Sequence, residues 1–351
     1  MSFLFVHNRQ LRSGNMSANI TGSRRTARRL YRHTTTRIMV LESHRIMFLP
    51  LPKSGCTSLL WMLAGLAGLD GSRFRGSTTA EVSHAMTIHD TSRWDDRHRW
   101  AEHDADEQER IQADESWLRF TVVRDPAPRL WSAWQSKLLL KEPRFVERFG
   151  DADWFPHEVA GLDAAVAAFR AFVRALDVPA DDAPHDAHWG PQSGLIERFR
   201  LNYVGRAELP DATVERIDAH LGDGERLDPG VPRENSAPVP YHPSVYDEET
   251  AAILNRVYAR DFETFGYPPL SPVGHGESAA WRATAETAAG FAAQLAERHL
   301  RIGTLLAELE RSQAAEQRLA VRLQTEADRV RAIEESRSWR VTRPLRAIRR
   351  G

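Results

Sequence analysis

Residues 45–65 read RIMFLPLPKSGCTSLLWMLAG, a passage from an apolar strand through a tight polar loop into an apolar helix. Ile46, Met47, Phe48 and Leu49 form a short continuous apolar run, the pattern of a strand buried on both faces of a parallel sheet. Pro50 and Pro52 remove backbone donors and end the ladder. Lys53, Ser54, Gly55, Cys56, Thr57 and Ser58 then turn the chain into a helix carrying Leu59, Leu60 and Leu63. Backbone N–H groups converge at such a helix start, so an anion bound there meets those donors, the helix dipole, hydroxyls and an ammonium.

The order of residues is not the glycine-rich G-x-x-x-x-G-K-[ST] of magnesium nucleotide loops, because here the lysine comes first. An ordinary strand-to-helix turn capped by Ser54 or Thr57 is the alternative reading at this point. The pattern resembles the 5′-phosphosulfate loop of sulfotransferases, which hold 3′-phosphoadenosine 5′-phosphosulfate (PAPS). That resemblance implies a donor loop of Lys53, Ser54, Gly55, Cys56, Thr57 and Ser58, with Lys53 also catalytic.

Residues 118–141, LRFTVVRDPAPRLWSAWQSKLLLK, repeat the strand-to-helix plan with different polar groups. Leu118, Phe120, Val122 and Val123 read as a second buried strand. Arg124 stands at its carboxyl end, where open α/β sheets bind ligands. Beyond Asp125, Pro126 and Pro128 comes a helix with Leu130, Trp131, Trp134 and Leu138 on one face and Arg129, Ser132 and Ser136 on another. A guanidinium with a hydroxyl nearby suits a phosphate dianion, although an Arg124–Asp125 salt bridge with a merely packed helix is also open. The spacing of Arg124, Asp125, Pro126, Arg129, Ser132, Ala133 and Lys137 is similar to the 3′-phosphate motif of the same enzymes. The pair of motifs resembles the family 2 carbohydrate sulfotransferases of the membrane-associated Golgi kind and their bacterial relatives. It implies a P-loop-like parallel α/β sheet flanked by helices, Arg124 and Ser132 on the 3′-phosphate, transfer of the sulfuryl group of PAPS to a carbohydrate hydroxyl, and no metal.

Such a transfer needs a base for the acceptor proton. The resemblance puts the acceptor-facing segment within residues 71–115, where His89 is the first candidate and His84 the second, with Asp90 to orient either ring; Glu102 and His103 are further candidates. No H-x-x-x-H spacing marks a metal site there. Residues 162–176 show a clear amphipathic stripe, a core helix. His188 and Gln192 match a His-x-x-x-Gln element that lines the acceptor groove in the related enzymes, and Gly205 and Glu208 match the strand end that follows it. A strand is expected through Phe199, Leu201, Tyr203 and Val204, and residues 229–243, with Asn235 and Ser236, read as a loop over the nucleotide edge. VYARDFETFGY, 257–267, resembles the family's closing helix.

The whole chain of 351 residues has a formal net charge of −1, but the charge is unevenly spread. Arg9, Arg12, Arg24, Arg25, Arg28, Arg29 and Arg32 make residues 1–36 a basic arm read as disordered, with no nucleic-acid signature. Residues 37–272 are expected to form the catalytic domain. Residues 273–336 read as a helix whose Leu295, Ile302, Leu309, Leu323 and Val330 share one heptad position, with Leu305, Leu319 and Ile333 three later. That seam suggests a homodimeric coiled coil or a partner helix. Residues 337–351 set Trp339, Val341, Leu345 and Ile348 among arginines, a composition suited to peripheral contact with an anionic membrane and found at the ends of bacterial surface-glycan glycosyltransferases. Cys56 is the single cysteine, no apolar run approaches the roughly 20 residues of a membrane span, and Phe3 to Val6 is short for a signal sequence. A cytoplasmic protein is therefore expected. Sulfation of a cell-surface glycan is the leading function; an ATP-dependent P-loop kinase and an inactive coiled-coil adaptor in glycan assembly are the alternatives.

Overall fold

The computed structural model describes residues 35–75, 84–178, 183–222, 224–228, 237–271 and 276–341. Nearly all of the basic arm, Asn235, Ser236 and the tail from residue 342 lie outside the described residues, as does the side chain of His84. The chain divides into two compact units, Met1–Ala296 and Glu297–Gly351.

The first unit is built on four strands, β1 (Met39–Leu41), β2 (Ile46–Leu49), β3 (Leu118–Val123) and β4 (Tyr203–Arg206), in that order across the sheet. The edge strand β1 runs antiparallel to β2, whereas β2, β3 and β4 are parallel. All residues of β2 and β3 are buried, because both faces of the sheet are covered. Side chains alternate between two cores. Ile46, Phe48, Leu118 and Phe120 meet Leu59, Leu60 and Leu63 of helix α1 (Cys56–Leu66) on one side. Met47, Leu49 and Val123 face the other side with Leu130, Trp131 and Trp134 of α2 (Pro126–Trp134). There Trp131 stacks on Trp134 at 5.3 Å, and both meet Phe169 of α3 (Gly161–Ala175) edge-on.

Two local expectations change. Phe199 and Leu201 precede β4 rather than belonging to it. The helix expected through Leu138 is α-helical only to Trp134 and continues as a π-helical turn over Gln135–Leu139. After the short α4 (Gln192–Ile196) and α5 (Pro210–Leu221) come α6 (Glu248–Val257) and, beyond Tyr258, α7 (Ala259–Phe265), the helix expected within 257–267. Tyr258 is buried and its hydroxyl is tied to the carbonyl of Trp189. The long helix α8 spans Ala279–Glu335. The packed unit ends later than residue 272, because Ala285, Ala289 and Ala292 of α8 are buried in its core and Arg282 pairs with Asp163 at 2.8 Å. In the second unit Ile302, Leu305, Leu309, Leu319, Leu323, Val330 and Ile333 are exposed, so the helix is observed while its pairing into a coiled coil stays an expectation.

Phe120 stacks on Phe48 at 4.7 Å between centroids, within the pairing that aligns β2 and β3. Phe120→Ala is expected to cost about 3–5 kcal/mol in stability, read as a lower urea midpoint at unchanged denaturant slope.

Candidate active site

Because β2 and β3 are neighbours and parallel, with Leu49 opposite Thr121, the loops that leave them emerge side by side. Between them lies a cavity of about 550 Å³. One wall is the first loop. Lys53 is held at φ 68° and Gly55 at φ 81°, a left-handed pair that turns the chain sharply into α1; only glycine takes this conformation without strain. Gly55 is the N-cap residue of α1 and no side chain caps the helix, so the capped-turn reading does not hold. Lys53, Gly55, Cys56, Thr57 and Ser58 all line the cavity.

The opposite wall comes from β3 and α2. Arg124 and the buried Ser132 line it, and the Arg124 guanidinium donates to the Lys53 carbonyl at 3.3 Å. The carboxylate of Asp125 caps α2 on the Ala127 N–H at 2.9 Å, and Glu208 accepts from the Asp125 N–H at 3.0 Å. Arg129 is buried. It does not line the cavity and donates to the carbonyls of Pro52, Ala187 and Gly190. Part of the proline-rich loop forms the roof: Val239 exchanges hydrogen bonds with the Gln135 amide at 2.8 and 3.0 Å, and Tyr241 joins it at the cavity.

Gln192, expected at the acceptor groove, is fully buried and does not line the cavity. Its carbonyl oxygen accepts from the Ser54 hydroxyl at 3.2 Å and the Arg124 N–H at 3.0 Å, while its amide donates to the Arg124 carbonyl at 2.8 Å. One side chain thus clamps both loops together. Asp261, itself buried, fixes the clamp by accepting from the N–H groups of Gln192 at 2.7 Å and Ser193 at 2.8 Å. Ser54, likewise buried, braces the loop.

Two histidines reach the cavity. His89 Nε2 lies 3.0 Å from Thr57 Oγ1. Burial, then the charges of Arg37, Lys137 and Lys53, push the His89 pKa down to about 3, so its ring is neutral and able to accept a proton at ordinary pH. The Asp90 carboxylate accepts from the Ser92 N–H at 3.1 Å and the Ser92 hydroxyl at 2.6 Å. His188 is buried against Asp186, Nδ1 to Oδ1 2.5 Å. Glu102 and His103 do not line the cavity; Glu102 pairs with Arg99 at 3.2 Å and the His103 ring is turned to the Arg97 carbonyl. Among the described residues no group of His, Cys, Asp and Glu has the arrangement of a metal site.

The cavity is strongly cationic, and two of its cations lacked an assigned role in the sequence reading. Residues 37–41 read as a short edge strand leading through Ser43 and His44 into the 46–49 strand, and the antiparallel pairing of β1 with β2 bears this out; Arg37, just before β1, lines the cavity. Lys137 belonged to the second motif without a role and now lines the cavity from the π-helical turn. Burial and then the charge of Lys137 lower the Lys53 pKa to about 7. Burial pushes the Cys56 thiol up, which leaves it a small neutral side chain in the loop.

Comparison with known proteins agrees with this geometry. The family model described as "Sulfotransferase family" matches residues 36–268, which takes in both loops, the brace and the paired helices α6 and α7. The chain belongs to the sulfotransferase family. It is 27% identical over 265 residues to carbohydrate sulfotransferase 10 of Xenopus laevis, covering 66% of this chain and 67% of that protein. The human carbohydrate sulfotransferase 10 is 27% identical over 257 residues, covering 66% and 67%. Human carbohydrate sulfotransferase 9 is 25% identical over 236 residues, covering 65% of this chain and 49% of its own length. No solved structure matches.

These relatives correct the expected cytoplasmic location. They are vertebrate carbohydrate sulfotransferases, the membrane-associated Golgi kind to which the motifs were likened. One cysteine sets no compartment, and neither does the fact that no described helix is long and apolar enough to cross a membrane.

An anion in this cavity favours the protonated form of Lys53, so its binding draws in a proton near pH 7. Sulfate or phosphate affinity should therefore fall as pH rises through 7. Calorimetry in two buffers of different ionisation heat should register proton uptake at pH 7.5 that Lys53→Met removes.

Proposed function

We propose that the chain is a PAPS-dependent carbohydrate O-sulfotransferase acting on a cell-surface glycan. The observation that carries this reading is that Lys53, Thr57 and Ser58 on one wall and Arg124 and Ser132 on the other line one cavity. A donor with anions at two ends needs that arrangement, whereas a nucleotide triphosphate would use the first wall alone. The names of the relatives support a carbohydrate as acceptor.

In this reading the N–H groups at the start of α1, with Thr57 and Ser58, hold the 5′-phosphate. Arg124 and Ser132 hold the 3′-phosphate, the guanidinium keeping its charge at any working pH. Lys53 stands over the bridging oxygen and takes a full positive charge as negative charge grows there. His89, neutral and partly buried, receives the acceptor hydroxyl proton. His188, its ring oriented by Asp186, and Arg37 complete the acceptor side. Catalysis then rests on positioning and charge.

Labelled PAPS offered with a panel of surface glycans tests this directly. Transfer of label to a glycan is expected, together with preference for the 3′-phosphorylated nucleotide over ATP and magnesium; tight ATP binding without PAPS binding would point to the kinase. Lys53→Ala is expected to lower turnover by about two to four orders of magnitude. Arg124→Ala should lose roughly 10- to 100-fold of the preference for adenosine 3′,5′-bisphosphate over adenosine 5′-phosphate, measured by calorimetry.

A further inference from the structure

Lys137 is an ammonium in an unusual place. Its side chain is only 6% exposed, it pairs with Glu142, and it lies over the Phe145 ring at 5.6 Å from the centroid. Burying an ammonium costs several kcal/mol unless partners offset it, so a purely structural lysine here needs a reason. Glu142 takes Lys137 on one carboxylate oxygen and Arg144 on the other, the latter at 2.6 Å, so two cations share one counter-charge.

The helix itself is distorted to put Lys137 where it is. An α-helix turns about 100° per residue, so Lys137 would sit roughly 140° around from Ser132, five positions earlier. The π-helical turn Gln135–Leu139 is wider and delays that rotation, bringing Lys137 round to the cavity that Ser132 also lines. Single π turns of this kind are common at functional sites. Among neighbouring charges Lys137 weighs most on Lys53 and on His188, and second only to Arg37 on His89. Lys137 lines the same cavity as Lys53, His89 and His188.

We propose, building on the donor reading above, that Lys137 is a second catalytic residue whose ammonium contacts the outer oxygens of the sulfuryl group during transfer, while the two walls hold the phosphates. In that step the acceptor oxygen–sulfur bond forms and the bond from sulfur to the bridging oxygen breaks. The bond pair stays on the bridging oxygen, beside Lys53, and the acceptor proton passes to His89. Lys137 offsets the charge of the sulfuryl oxygens as acceptor and donor oxygens crowd the sulfur.

The test separates turnover from nucleotide binding, since adenosine 3′,5′-bisphosphate lacks the sulfuryl group. In the full chain, Lys137→Met should lower kcat for labelled PAPS by about 100- to 1,000-fold and leave the bisphosphate Kd within about threefold of the unaltered protein. Wild-type turnover in this variant would overturn the proposal. So would parallel losses of turnover and bisphosphate affinity, which would make Lys137 part of the phosphate clamp. Should the methionine variant not fold, Lys137→Arg keeps the charge beside Glu142 but not the compact ammonium. It should lower kcat at least tenfold with unchanged bisphosphate affinity, and full turnover would overturn the proposal. An unaltered protein that binds neither PAPS nor the bisphosphate would sink the donor reading itself, a result distinct from either of these.

Discussion

The parallel pairing of β2 with β3 is the constraint on which the site depends. Its register sets Ile46 against Leu118 and Leu49 against Thr121, so two loops some seventy residues apart in the chain leave the sheet as neighbours. Strand spacing alone brings them within about 5 Å in the hydrogen-bonding direction. Gln192 then fixes the gap by bonding Ser54 on one side and both backbone groups of Arg124 on the other. A buried amide with every atom used is costly to disturb. Here the brace itself rests on Asp261 from the last helix of the domain before Gly266.

Electrostatics explains why the site is built so rigidly. Lys53, Arg124, Lys137 and Arg37 share one cavity, and like charges at such range repel. Part of that cost appears as the lowered Lys53 pKa and part as the neutral His89. Glu142 offsets Lys137 locally. A multiply charged anion reverses the balance, and the same cations then attract it. Burial first, and then the same cations, hold the His89 pKa low and keep the ring unprotonated.

Much of this could be read from the residues. The continuous apolar runs at Ile46 to Leu49 and Leu118 to Val123 announce strands covered on both faces, and the proline-lysine turn announces an anion loop. The stripe of Leu162, Phe169 and Val173 gives a core helix, observed as Gly161–Ala175. What could not be read depends on tertiary contact. Gln192 looks like a surface amide until the fold buries it, and Asp261 looks like one charge among many on a terminal helix. The edge strand that starts near Arg37 could be read, but not that the Arg37 side chain lines the cavity. The π turn leaves no trace in hydrophobic periodicity, because Leu138 and Leu139 are buried under either helical form. Alanines 285, 289 and 292 carry too weak a pattern to show that the long helix starts inside the domain.

A crystal structure with adenosine 3′,5′-bisphosphate bound puts the two-walled clamp to its most direct test. The 5′-phosphate should lie on the N–H groups of residues 55–58 with Lys53 beside it, and the 3′-phosphate should lie within hydrogen-bond distance of Arg124 and Ser132. A 3′-phosphate turned to solvent, or a nucleotide seated with both phosphates on the first loop, would contradict it.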